Sequence, residues 1–131
     1  MARNPVVPGF FPMPGEQPVN DPASARLPDD YSGLKKLQQQ FKEYQERAFP
    51  PRPARFFSLE LCGEAGEIAN LEKKEWKNVK IALSDVAGEA ADTAIALLNY
   101  ANARGIDLAV EVERKMSKID EKRRREPERG D

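Results

Sequence analysis

The sequence predicts an all-α fold, a small four-helix bundle of the kind completed by oligomerisation. Three observations carry that expectation. Four consecutive segments place apolar residues at three- and four-residue intervals among strong helix formers. Neither a βαβ alternation nor a glycine-rich phosphate loop interrupts them, and no repeat of solenoid length is present. The connections are short, ARGID being one, as antiparallel helical neighbours require.

Residues 1–31 stand apart from this bundle. They hold Pro5, Pro8, Pro12, Pro14, Pro18, Pro22 and Pro28, and each proline removes a backbone donor and biases the residue before it away from helix. An extended or disordered arm is the expectation, with Phe10, Phe11 and Met13 available to a surface of this subunit or a neighbour. The start also lacks the continuous apolar core and cleavage site of a signal peptide.

From Ser32 the stretch SGLKKLQQQFKEYQERAF sets Leu34, Leu37, Phe41, Tyr44 and Ala48 at helical intervals, and PPRP ends the helix. A second helix follows Pro53, with Phe56, Leu59, Cys62, Ala65, Ile68, Ala69 and Leu71 or Trp76 expected to face apolar neighbours. The third runs from about Ile81 to Arg104, carries many alanines that allow close helix approach, and stops at Gly105. Asp107 caps a fourth, in which Leu108, Val110, Val112, Met116 and Ile119 recur. The helical domain therefore spans residues 32–124, and 125–131 form a polar tail.

Composition narrows the function. The chain has 131 residues, of which 33% are charged, with a formal net charge of -1 and no histidine. Such a balance provides no strong field for nucleic acid or an acidic membrane. No run is long and apolar enough to span a bilayer. Cys62 is the only cysteine, so an internal disulfide and a Cys/His zinc site are excluded. The expected compartment is the cytoplasm, with neither a stable nucleic-acid partner nor a membrane. Cys62 sits on an apolar-periodic position, and with no histidine to activate it a packed thiol is expected.

The chemistry is concentrated in two acidic pairs. In CGEAGEIAN, Glu64 and Glu67 are three apart and Asn70 is three further on; in SDVAGEAAD, Glu89 and Asp92 repeat the spacing, with Asp85 one turn upstream. Residues at this interval share a helix face. Either pair alone is common on solvated helices. Two pairs on consecutive helices, flanked by alanine and glycine, are a different matter, because like charges in a partly dry cleft repel unless a cation or proton offsets them. Oxygen ligands without histidine or cysteine suit Mg²⁺, with Mn²⁺ as a substitute, and magnesium commonly binds substrate phosphates at the same time.

The sequence resembles the MazG-like all-α nucleoside triphosphate pyrophosphohydrolases over roughly residues 34–124, in an ExxE pair followed by an ExxD pair about twenty residues later and in the late segment KMSKIDEKR. The resemblance implies a divalent-metal cluster on Glu64, Glu67, Glu89 and Asp92 that also serves catalysis. It implies cleavage of a nucleoside triphosphate, in some members a deoxynucleotide or noncanonical one, to monophosphate and pyrophosphate. It further implies a homodimer or homotetramer with sites near subunit contacts.

Supporting roles follow from the same comparison. Asn70 matches the family's asparagine and is a candidate to order a metal-bound water or contact substrate. Lys73 and Lys74 resemble the basic residues after the first motif, candidates to neutralise the triphosphate or departing pyrophosphate. Lys115 and Lys118, with Arg123, fall in the late phosphate-contacting segment. Asp120 departs from the family's asparagine, and a carboxylate there opposes phosphate. Trp76 either stacks on a base or fills the bundle edge, and Asn102 either reads a base or sugar edge or lies on the surface. Two alternatives remain beside this reading: a phosphoribosyl-nucleotide pyrophosphohydrolase, and a helical interaction protein without chemistry.

Overall fold

The computed structural model describes residues 20–126. Among them the backbone is all-helical: a single 3-10 turn at Pro22–Ser24 precedes α1 (Ser32–Ala48), α2 (Ala54–Trp76), α3 (Leu83–Arg104) and α4 (Leu108–Arg125). Phe10, Phe11 and Met13, and most of the proline-rich arm, lie outside the described residues.

Each boundary has a local cause. Pro53 is the N-cap of α2, and the Pro50–Pro51–Arg52–Pro53 run before it holds the chain out of helix. The α2 C-terminus closes in a Schellman motif: Asn78 adopts φ 65°, its N–H donates to the Glu75 carbonyl, and the Val79 N–H donates to the Lys74 carbonyl at 2.9 Å. Asparagine is among the few residues that tolerate this left-handed backbone. Gly105, at φ 70°, ends α3 in the same way, with the Ile106 N–H reaching back to the Ala101 carbonyl. Asp107 then caps α4 by accepting from the Val110 N–H, and its carboxylate also pairs with Lys35 of α1.

Helices α2 and α3 form the principal packed pair, an αα-hairpin closed by the short connection 77–82; α1 lies against α3 and α4. Among the described residues the buried apolar side chains are few: Phe57, Ala96, Leu98, Ala101 and Ala109. The α1–α3–α4 corner is tied by Gln38, a polar side chain only 7% exposed. Its Nε2 donates to Asn102 Oδ1 at 2.9 Å and to the Ile106 carbonyl at 2.7 Å, its Oε1 accepts from the Leu108 N–H, and its carbonyl accepts from Asn102 Nδ2.

The inward face of α2 differs in part from the one expected, since Phe56, Ile68 and Leu71 are half-buried and other positions are not. Leu59 is 73% exposed, and Cys62, Ala65 and Ala69 are also exposed, while Phe57 is buried and Leu61, Glu64, Ile68 and Leu71 are half-buried along one stripe. Cys62 is therefore an exposed free thiol, not a packed one. In α1, Leu37 and Tyr44 are exposed and Gln38 takes the buried position. No helix among the described residues is long and apolar enough to cross a membrane.

Candidate metal centre

The stripe of α2 that faces α3 carries Glu64 in the middle of an apolar series. Opposite it, α3 presents Glu89 and Asp92. One carboxylate oxygen from each of Glu64, Glu89 and Asp92 lies within 4.8 Å of the other two. Glu64 and Glu89 are half-buried, and Asp92 is exposed.

Such proximity of like charges has a measurable electrostatic consequence. Glu89 is pushed from its ordinary value of 4.5 up to about 7, first because it shares a hydrogen bond with the Glu64 carboxyl, then through burial and through the charges of Glu64, Asp92 and Glu67. A carboxyl that keeps its proton is one response to such repulsion. Even so, Glu89 Oε2 is buried with no hydrogen-bond partner among the described residues. A buried acceptor left unpaired is costly, and a hard divalent cation would satisfy it. The donor set, carboxylate oxygens alone, fits Mg²⁺ or Mn²⁺.

Glu67 stands apart from the three-oxygen group. It is exposed on α2, near enough for its charge to act on Glu89. Glycines 63, 66 and 88 flank the cluster, yet a Cβ at any of them would meet nothing within 4 Å. They therefore serve no close helix approach within this chain; they leave open surface beside the acids.

The remaining sequence candidates divide by position. Asn70, Lys73 and Lys74 are exposed on the last turns of α2, where lysines also complement the helix C-terminus. Trp76, 83% exposed at the end of α2, fills no bundle edge among the described residues. Lys115 and Lys118 are exposed on α4, which packs on α1 and not principally on the α2–α3 pair. Asn102 is half-buried, and its amide is occupied at both ends by Gln38. Asp120 is held below its ordinary value by hydrogen bonds from Arg124 and Arg123, and these guanidiniums also donate to the Ala25 and Pro22 carbonyls. Its charge is thus neutralised inside the chain, where it fastens residues 22–25 to α4.

Two polar residues escaped the sequence reading, Gln38 and Asn99. The signal for both is a polar side chain on a stripe that is otherwise apolar or small: Gln38 between Leu34 and Phe41, Asn99 between Ala96 and Ala103. Compared with protein families, curated proteins and solved structures, the chain matches none at a level that shows relationship.

Proposed function

We propose that the chain is a Mg²⁺-dependent nucleotide pyrophosphohydrolase of the MazG-like kind, acting in the cytoplasm. The observation that carries the reading is the convergence of Glu64, Glu89 and Asp92 from two helices, with a buried Glu89 oxygen that has no hydrogen-bond partner among the described residues. An acidic group of this composition has no need of such crowding for stability, since mutual repulsion opposes it.

Glu64, Glu89 and Asp92 are the residues to hold the cation, with Mn²⁺ as substitute. When bound, Mg²⁺ neutralises phosphate oxygens and makes a nearby water more acidic. Glu67, outside the three-oxygen group, is the candidate to accept the proton of the attacking water. The water oxygen bonds to the α-phosphorus, the bond to the bridging oxygen breaks, and its electron pair leaves with pyrophosphate. Lys73 and Lys74, with Asn70, lie one to two turns along α2 from Glu67 and contribute positive charge and a hydrogen-bonding amide toward the polyphosphate. Lys115 and Lys118 stand on α4, which packs on α1, and this makes them lesser contributors in a single chain.

The test is direct. Purified protein incubated with separated NTPs and dNTPs should release pyrophosphate and monophosphate only with a divalent cation. Glu64→Gln, Glu89→Gln and Asp92→Asn should each abolish release while far-UV circular dichroism stays helical. Orthophosphate as primary product, or cation-independent release, refutes the reading. A phosphoribosyl-nucleotide substrate would emerge from the same profile.

A second reading has its own observation. Leu59, Trp76, Val79, Leu83, Ile95 and Leu97 are exposed apolar side chains on α2, α3 and their connection, and a core this small gains from a second copy. A homodimer or homotetramer is accordingly part of the proposal. Association without any nucleotide turnover would favour a helical interaction protein instead.

A further inference from the structure

A cavity of about 400 Å³ opens between the C-terminal turn of α1, the proline-rich connection, the start of α2 and the end of α3. That volume is within the range of small-molecule sites. Its walls are chiefly apolar, with Phe49, Pro50, Pro51 and Phe57 among them. The charges at its edge are already engaged: Lys42 pairs with Glu46, and the Arg52 guanidinium lies over the Phe56 ring at 4.8 Å from its centroid. Asn102 also lines the cavity, but its amide is taken by Gln38.

Asn99 is the exception. It lines the same cavity, is only 7% exposed, and its Oδ1 is buried with no hydrogen-bond partner among the described residues. A buried amide oxygen without a partner is uncommon enough to require an explanation. The aromatic walls accept a flat ring, the paired charges at the edge do not call for an anion, and the unpartnered amide oxygen is suited to accept from a ring N–H or an exocyclic amine. An asparagine amide is the side chain that matches the adjacent donor and acceptor of a base edge.

We propose that this cavity binds a nucleobase, with Asn99 reading its hydrogen-bonding edge and Phe49 and Phe57 supplying apolar walls. That the base belongs to the nucleotide handled at the acidic cluster rests on the pyrophosphohydrolase reading. The placement supports it: Asn99 follows Asp92 by seven residues on α3 and Phe57 precedes Glu64 by seven on α2, a displacement of about 10 Å, two helical turns, along both helices.

The experiment separates the two claims by using nucleosides, which have no phosphate. Adenosine, guanosine, cytidine and uridine are titrated into the full chain in EDTA, with binding read by saturation-transfer NMR. At least one should bind. Asn99→Leu removes the amide, and Ala103→Trp fills the cavity from an exposed rim position; each should weaken binding about tenfold or more with the helical signal intact. If neither substitution changes the affinity, if no nucleoside binds up to its solubility limit, or if Ala103→Trp instead turns an oligomer into monomers because a neighbouring copy fills the space, the proposal is overturned. Nucleoside binding without any triphosphate hydrolysis would keep the cavity and remove the enzyme reading. Hydrolysis with a KM unchanged in Asn99→Leu would do the reverse.

Discussion

Replacing Gln38 by methionine tests how the three-helix corner is held. Methionine is close in volume and flexible, so the packing loss is small. What disappears is the set of side-chain hydrogen bonds to Asn102 Oδ1, the Ile106 carbonyl and the Leu108 N–H. All three partners are part-buried, so each is set at the low end of the cost of an orphaned group, about 1 kcal/mol, for a sum of about 3 kcal/mol. For a domain of this size that corresponds to a fall in Tm of roughly 12–24 °C. Urea denaturation followed by far-UV circular dichroism measures it, and hydrogen exchange at the Leu108 amide gives a local check, since that N–H should lose protection. A loss below about 1 kcal/mol, with Leu108 still protected, would show that water replaces the glutamine and that the corner is held by apolar contact alone.

Other outcomes follow from the acidic cluster and its surroundings. Because the folded chain raises Glu89 from 4.5 to about 7, the metal-free fold holds a proton that the unfolded chain has released; its contribution to stability is full below 4.5 and is lost as pH rises through about 7. Mg²⁺ must displace that proton, so magnesium-induced thermal stabilisation should grow over the same interval, and a pH-independent magnesium effect would contradict the assignment. Gly66→Ala meets open space in a helix interior, so it should stabilise the chain by about 0.5–1 kcal/mol in urea; a loss of stability would mean that the helix is tightly covered there. Cys62, exposed on α2, should react with Ellman's reagent in the native chain without denaturant, and protection of the thiol would point to a covering neighbour.

Much of the architecture was legible before any coordinates. Four helices follow from periodicity, and the α3–α4 corner from Gly105 and Asp107, because a left-handed stop and a side-chain cap are local matters that few residue types perform. The phase of α2 was not. Its apolar pattern counts Cys62, Ala65 and Ala69 as inward, but these small side chains gain little from burial, and the larger Phe57, Leu61, Ile68 and Leu71 turn the helix so that Glu64 comes inward with them. Here the acidic residue replaces an apolar one on the packed face, which is where a sequence pattern and a site conflict. The stop at Asn78 was missed because asparagine marks a left-handed backbone less strongly than glycine. In the site, the spacing of Glu64, Glu89 and Asp92 was enough to bring them to one seam. The partners of Asn102 and Asp120, Gln38 and two arginines, were not legible, because they are set by tertiary contact and by a charge run.

The exposure of Trp76 has a practical consequence. It is the chain's single tryptophan, and its indole already stands in water in the folded subunit. Its emission will hardly respond to denaturant, so fluorescence is a poor gauge of unfolding here. A blue shift on adding nucleotide or on raising protein concentration would instead report something settling over the end of α2, a built-in optical probe that needs no label.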